Sequence, residues 1–256
     1  MNILITGAAS RLGQAVAEAL EGHSLRLVDE SPVEAPAATG AETRGEWAGD
    51  AAQGSLLDQD FAWRAVRGMD AVVHTGEPPQ DLPVSEVERE KHLLELATRG
   101  THQLFKAGVE AGVKRFVYGG TLDLFRSYPD DVYISELWKP LPEPDMPAMS
   151  RYLGEHTARE FARDHMVTVT GLRLGSLVSE EEVAGQAPDL LWLDYRDAAQ
   201  AFRLALERDA SDQVWWTSRY AMYHICADLE NPKYLINQAR NLGYAPVHNF
   251  AANWRD

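Results

Sequence analysis

Cysteine is almost missing: the 256 residues contain one, Cys226. A single thiol can form neither an internal disulfide nor a cysteine-based metal centre, and it reads as a small buried hydrophobe. Basic residues are also scarce, 24 Lys and Arg against 39 Asp and Glu, for a formal charge of -15. That field repels a polyphosphate backbone, so nucleic acid is excluded as the expected partner. No apolar run approaches the roughly 20 residues that span a bilayer, and the opening MNILITGAAS lacks the basic and long apolar regions of a secretory leader. A cytoplasmic chain without a membrane segment is expected. The eight histidines show no HExxH spacing and no GxSxG elbow occurs, which argues against a metal site and against that class of hydrolase.

What is present suits one large α/β domain, with 45% hydrophobic and 25% charged residues and enough length for a sizeable core. Ile3 to Ile5 reads as a strand, Thr6-Gly7 as a tight turn, and Gln14 to Glu21 as a helix. Further strands are expected at Leu25 to Val28, Ala71 to His74, Phe116 to Tyr118 and Val167 to Leu174, with helices at Phe61 to Arg67, Val87 to Ala111 (broken or bent near Gly100) and Met149 to His165. Ser31 to Gly54 reads mostly as loop. Strands alternating with helices predict a doubly wound parallel sheet. After Leu174 the spacing predicts a helix over Asp197 to Glu207, short strands at Gln213 to Trp216 and Tyr223 to Ile225, and a helix over Pro232 to Leu242. Residues 1–175 are expected to form a nucleotide-binding core, and 176–256 mostly a small substrate-side cap. The aromatic group Trp192, Trp215, Trp216, Tyr220 and Tyr223 reads as core packing.

The run Thr6-Gly7-Ala8-Ala9-Ser10-Arg11-Leu12-Gly13 can place a pyrophosphate on backbone N–H groups at a helix N-terminus. Gly7 permits the turn and Gly13 a close helix, while Ser10 or Arg11 stands near the place of the usual middle glycine. Asp29, ending the second strand, is positioned to bind ribose hydroxyls and to repel a 2′-phosphate, which points to NAD; Arg11 leaves NADP open.

ITGAASRLG, LRLVD, GMDAVVHTG, GVKRFVYGGT, the Tyr152 helix, TGLRLGSLV and LDYRDAAQAFRLALE together resemble the extended short-chain dehydrogenase/reductase family, in its NAD-dependent epimerase/dehydratase branch. RLGS, the stretch from Trp192 to Asp197 and the ending NLGYAPVHN are most similar to the short uronate dehydrogenase-like members. The resemblance implies a Rossmann-type fold, Asp58 beside the adenine, Thr75 and Gly76 along the cofactor, Ser176 on the substrate, and a homodimer built on the helices Val87 to Ala111 and Met149 to His165. It also implies an oxidoreductase or epimerase acting on a small hydroxylated, sugar-like substrate, with Thr121 holding the oxygen and Tyr152 exchanging the proton. The family's lysine, four residues after its tyrosine, then falls on His156, and its supporting asparagine on Ala97. A neutral imidazole lowers a tyrosine pKa less than a permanent cation does, so a nucleotide-binding sensor or scaffold without turnover is the alternative. No arginine between Arg173 and Arg196 is available to clamp a substrate carboxylate, and Glu180, Glu181 and Glu182 stand there instead.

Overall fold

Apolar residues alternate within the first strand, and the two sets bury on opposite faces of one sheet. Ile3 and Ile5 of β1 (Asn2–Thr6) join a cluster with Leu12 and Val16 of α1 (Arg11–Ala19) and Phe202 of α6 (Tyr195–Glu207). Leu4 between them joins Phe61 of α2 (Gln59–Val66), Leu104 of α4 (Thr101–Glu110) and Phe161 of α5 (Met146–Asp164). The computed structural model describes residues 1–33 and 51–254.

The sheet has seven parallel strands in the order β3-β2-β1-β4-β5-β6-β9. The remaining strands are β2 (Ser24–Asp29), β3 (Ala51–Gln53), β4 (Ala71–His74), β5 (Arg115–Thr121), β6 (Thr168–Leu174) and β9 (Tyr220–Ile225). A small two-stranded sheet, β7 (Ser176–Val178) with β8 (Trp192–Asp194), lies after the main one. Chain order reverses between β1 and β4, and the crevice beyond their carboxyl ends is where such sheets bind ligands. The expected doubly wound sheet is therefore present. Most of the expected loop from Ser31 to Gly54 lies outside the described residues.

Four expectations change. The helix expected over Val87 to Ala111 is α3 (Glu86–Glu95), a π turn at Leu96–Gly100, and then α4, so the break near Gly100 is a wider turn and not an end. The stretch 176–256 is not mostly cap: it supplies β9 to the main sheet, and α6, which packs on α1. Gln213 to Trp216 forms no strand, because the buried Arg219 guanidinium takes the carbonyls of Gln213 (2.6 Å) and Val214 (2.8 Å). Trp216 instead opens the short α7 (Trp216–Arg219), and Trp215 is 76% exposed, so neither tryptophan is core. Cys226 is buried, which pushes its thiol up to about 12.

Candidate active site

The β1–α1 corner is held by small residues. Gly7 adopts φ +73, and a Cβ on it would overlap the Thr75 hydroxyl; a Cβ on Gly13 would overlap the Gly7 carbonyl. Ser10 is the N-cap of α1: its Oγ accepts from the Gly13 N–H (3.0 Å) and donates to the Gly7 carbonyl (2.7 Å). Leu12 is fully buried in the core. Arg11 pairs with Glu182 and lies 4.3 Å over the Tyr195 ring.

Asp29 ends β2 nearly buried. Its two oxygens accept from the N–H groups of Ala9 (3.0 Å) and Ser31 (2.9 Å). Burial pushes its carboxyl up, and these hydrogen bonds oppose the rise. Glu30 beside it contacts Ser55 and lies 2.6 Å from His92.

From this corner a cleft of about 200 Å³ runs past Gly54 and Leu56 to Tyr118, Ser150 and Arg151. Gly7, Asp29, Gly76 and Ala97 line it as well. His74, on its floor, links Thr6 (2.7 Å) to Thr101 (3.1 Å), and burial pulls its pKa down to about 3, leaving a neutral imidazole. The cleft suits a dinucleotide by an observation independent of any motif: Ser150 Oγ, buried on its wall, has no hydrogen-bond partner among the described residues. Asp29 and Glu30 would hold the adenosine ribose, and Ser150 lies toward the other end.

Two cofactor expectations are corrected. Asp58 is the N-cap of α2, its carboxylate accepting from Asp60 (2.9 Å) and Phe61 (3.3 Å); Gly54 and Leu56 line the cleft in its stead. Thr75 is fully buried, donating to the Thr6 carbonyl (3.0 Å) and accepting from the Glu77 N–H (3.3 Å). It braces the β4 end and leaves Gly76 and Glu77 to face the cleft.

A second cavity of about 550 Å³ adjoins the first, lined by Thr121, Asp123, Arg126, Ser176 and Tyr195 among others. Thr121 Oγ1 donates to Asp123 Oδ2 (3.1 Å) and accepts from the Asp123 N–H (3.1 Å). Arg126 bonds Asp123 Oδ1 (3.1 Å), Asp189 (3.4 Å) and Ser176 Oγ (3.4 Å). Its loop is pinned by the buried Lys233, which donates to the Arg126 carbonyl (3.3 Å) and to Asp130 (2.8 Å). Behind Gly120 a buried pair, Arg173 with Glu155 (2.6 Å), stands next to His224, whose pKa burial and that cation lower to about 3.

Thr121 and Ser176 thus share a cavity, but Tyr152 and His156 do not join them. Tyr152 packs against the core cluster on the α1 and α6 side, with His156 edge-on to its ring at 4.5 Å. Neither lines either space. Burial also lowers the His156 pKa, so it is a poor substitute cation. The residues of α5 that line both spaces are Pro147 and Arg151, four apart on one face. Arg151 donates to the carbonyls of Gly76 and Gly120 (3.0 Å), and reaches Glu77 at 3.4 Å. The phenol and imidazole expected at Tyr152 and His156 therefore do not face the cleft, where α5 presents a proline ring and a guanidinium instead. Sequence reading missed Arg151 because its neighbour is a tyrosine; the Pro147 to Arg151 spacing was the available signal.

The profile of the NAD dependent epimerase/dehydratase family matches residues 3–191. An NAD-dependent glucose-6-phosphate dehydrogenase of Haloferax volcanii is 26% identical, over 97% of this chain and 94% of its own length. A uronate dehydrogenase of Pseudomonas putida is 27% identical over 86% and 81%. In fold, the chain is similar to a crystal structure of a tyrosine-to-alanine mutant of uronate dehydrogenase from Agrobacterium tumefaciens complexed with NAD: TM-score 0.75, 21% identity, covering 98% of this chain and 86% of that one.

Proposed function

We propose, since this chain belongs to the NAD dependent epimerase/dehydratase family, that it binds NAD in the long cleft and acts as an oxidoreductase or epimerase on a small, sugar-like substrate in the adjoining cavity. The observation that carries this reading is the meeting of the two spaces at Arg151: a cleft with an acid placed for a ribose at one end opens beside a cavity with three hydroxyl side chains, Thr121, Ser176 and Tyr195. When bound, the nicotinamide supplies the hydride chemistry that protein side chains lack. Asp29 and Glu30 together favour NAD, since two carboxylates repel a 2′-phosphate, and Arg11 is held by Glu182.

Within the cavity, Thr121 holds the reacting oxygen and Ser176 a second hydroxyl. The proton route offered is Thr121 to Asp123, whose oxygen already accepts from that hydroxyl. A carboxylate is a much weaker base than a phenolate, so oxidation near neutral pH is expected to be slow. Calorimetric titration with NAD and NADP, followed by turnover assays over a sugar panel, tests the reading; tighter NADP binding overturns its cofactor part.

Pro147 and Arg151 favour a second reading, nucleotide binding without turnover. A wild-type chain that binds NAD tightly and oxidises nothing, while the Pro147→Tyr/Arg151→Lys variant gains oxidation, selects it. We also propose a homodimer through α3, α4 and α5, where Val87 and Leu153 are exposed apolar residues. Light scattering at micromolar concentration reads its mass.

A further inference from the structure

We propose that the substrate cavity selects an amino sugar, a polyol bearing an ammonium group, over sugars bearing a carboxylate or phosphate. The inference rests on reading this cavity as the substrate's and concerns the charge of what enters it. Six ionisable groups of opposite sign face the space: Glu77, Asp123, Glu143 and Asp145 against Arg126 and Arg151.

An anionic substrate needs a cation with N–H groups to spare. Arg126 is already divided between Asp123, Asp189 and Ser176. Arg151 gives its two Nη groups to two backbone carbonyls and Glu77, and its one N–H without a partner among the described residues, at Nε, is buried out of a substrate's reach. Freeing either guanidinium would strip carboxylates or carbonyls of their partner before any sugar is held.

The acids are in the opposite condition. Glu143 has no hydrogen-bond or ion-pair partner among the described residues. Asp145 uses one oxygen to cap α5 at the Ala148 N–H, 2.8 Å away, and leaves the other open. Glu77 gives one oxygen to Arg151. An ammonium entering between the Thr121 wall and the Glu143 rim meets carboxylate oxygens with lone pairs to offer, whereas a carboxylate or phosphate meets like charge. The chain's formal charge of -15 adds a long-range field of the same sign.

The test titrates the full chain, with and without NAD, with D-glucosamine, D-glucose, D-glucuronate and D-glucose 6-phosphate, read by ligand-observed NMR. Glucosamine is expected to bind about fivefold tighter than glucose, as one solvent-accessible ion pair gives, with both anions weaker than glucose. Glu143→Gln is expected to narrow the glucosamine advantage to under about twofold, and Glu143→Arg to lift glucuronate above glucosamine. Glucuronate or glucose 6-phosphate binding as tightly as glucosamine overturns the proposal. So does a glucosamine advantage untouched by Glu143→Gln, or no binding of any of the four. NAD titrated into the same samples separates the two readings: saturable NAD binding with the wrong sugar order sinks only the charge selection, and the expected sugar order without NAD binding sinks only the cofactor reading.

Discussion

The β1–α1 corner and the front of α5 belong to one cleft, yet they tolerate change very differently. At the corner, Gly7 and Gly13 sit where a single added carbon would collide with neighbouring polar atoms, and Asp29 is fixed by two N–H groups. Backbone contact dictates those residue types. On α5, Pro147 and Arg151 line the cleft, where no backbone clash fixes the side chain's size, so a proline ring and a guanidinium can stand there without disturbing the fold. Asp145 caps the helix and a proline in its first turn loses no hydrogen bond. A residue held by packing survives with the fold, whereas one that faces a cavity is free to diverge with the chemistry.

The largest expected effect compares two buried imidazoles, His74 under the cofactor cleft and His224 behind the substrate cavity, both brought down to about 3 from an ordinary 6.5. The folded chain binds fewer protons than the unfolded one between these values, so this stability is fully present above pH 6.5 and is lost as the pH falls toward 3. Each site contributes on the order of several kcal/mol. Urea denaturation from pH 7 to pH 4 should show the loss, and His74→Gln and His224→Gln should each flatten it; equal slopes in both variants and the wild type would refute it.

Gly13→Ala comes next, with an expected cost of about 2–4 kcal/mol from the clash with the Gly7 carbonyl, read as a lower denaturation midpoint. Asp29→Ala should leave the fold in place and weaken NAD binding by about 10- to 100-fold, the value of a charge-assisted hydrogen bond or two, with less weakening for NADP in the same calorimetry. The smallest effect is expected at Tyr152→Phe: less than about twofold on ligand binding or turnover, against more than tenfold on turnover for Thr121→Val. A tenfold loss at Tyr152→Phe would return the proton chemistry to that phenol.

The strands were legible because each combines a short apolar run with a flanking turn, and β1, β2, β4, β5 and β6 lie where the pattern puts them. Gly7, Gly13 and Asp29 were legible as a spaced set in a strand-turn-helix. The α5 site was not, since a tyrosine at 152 matches a residue type while helix phase decides which side chain reaches the cleft, and one position is a rotation of about 100°. Asp58 misled for a related reason: an acid before a helix is as good a cap as a ligand. The cavity's Asp123 and Arg126 share one short turn after β5 while Glu143 comes from the loop before α5, and no local pattern brings the two segments together.

That same rotation has a counterpart between α3 and α4. The π turn at Leu96–Gly100 spreads its residues over a wider coil, so the face presented by the chain slips in phase across it. Before the slip α3 buries none of its residues; after it α4 buries Thr101, Leu104, Phe105, Ala107 and Gly108. One continuous rod is therefore buried at one end and only half-buried at the other, where His92 reaches Glu30. Its amides should exchange with solvent in two populations, early before residue 96 and late after residue 100, so that the wall carrying Leu93 and Leu96 along the cofactor cleft can loosen without unfastening the helix that holds His74 through Thr101.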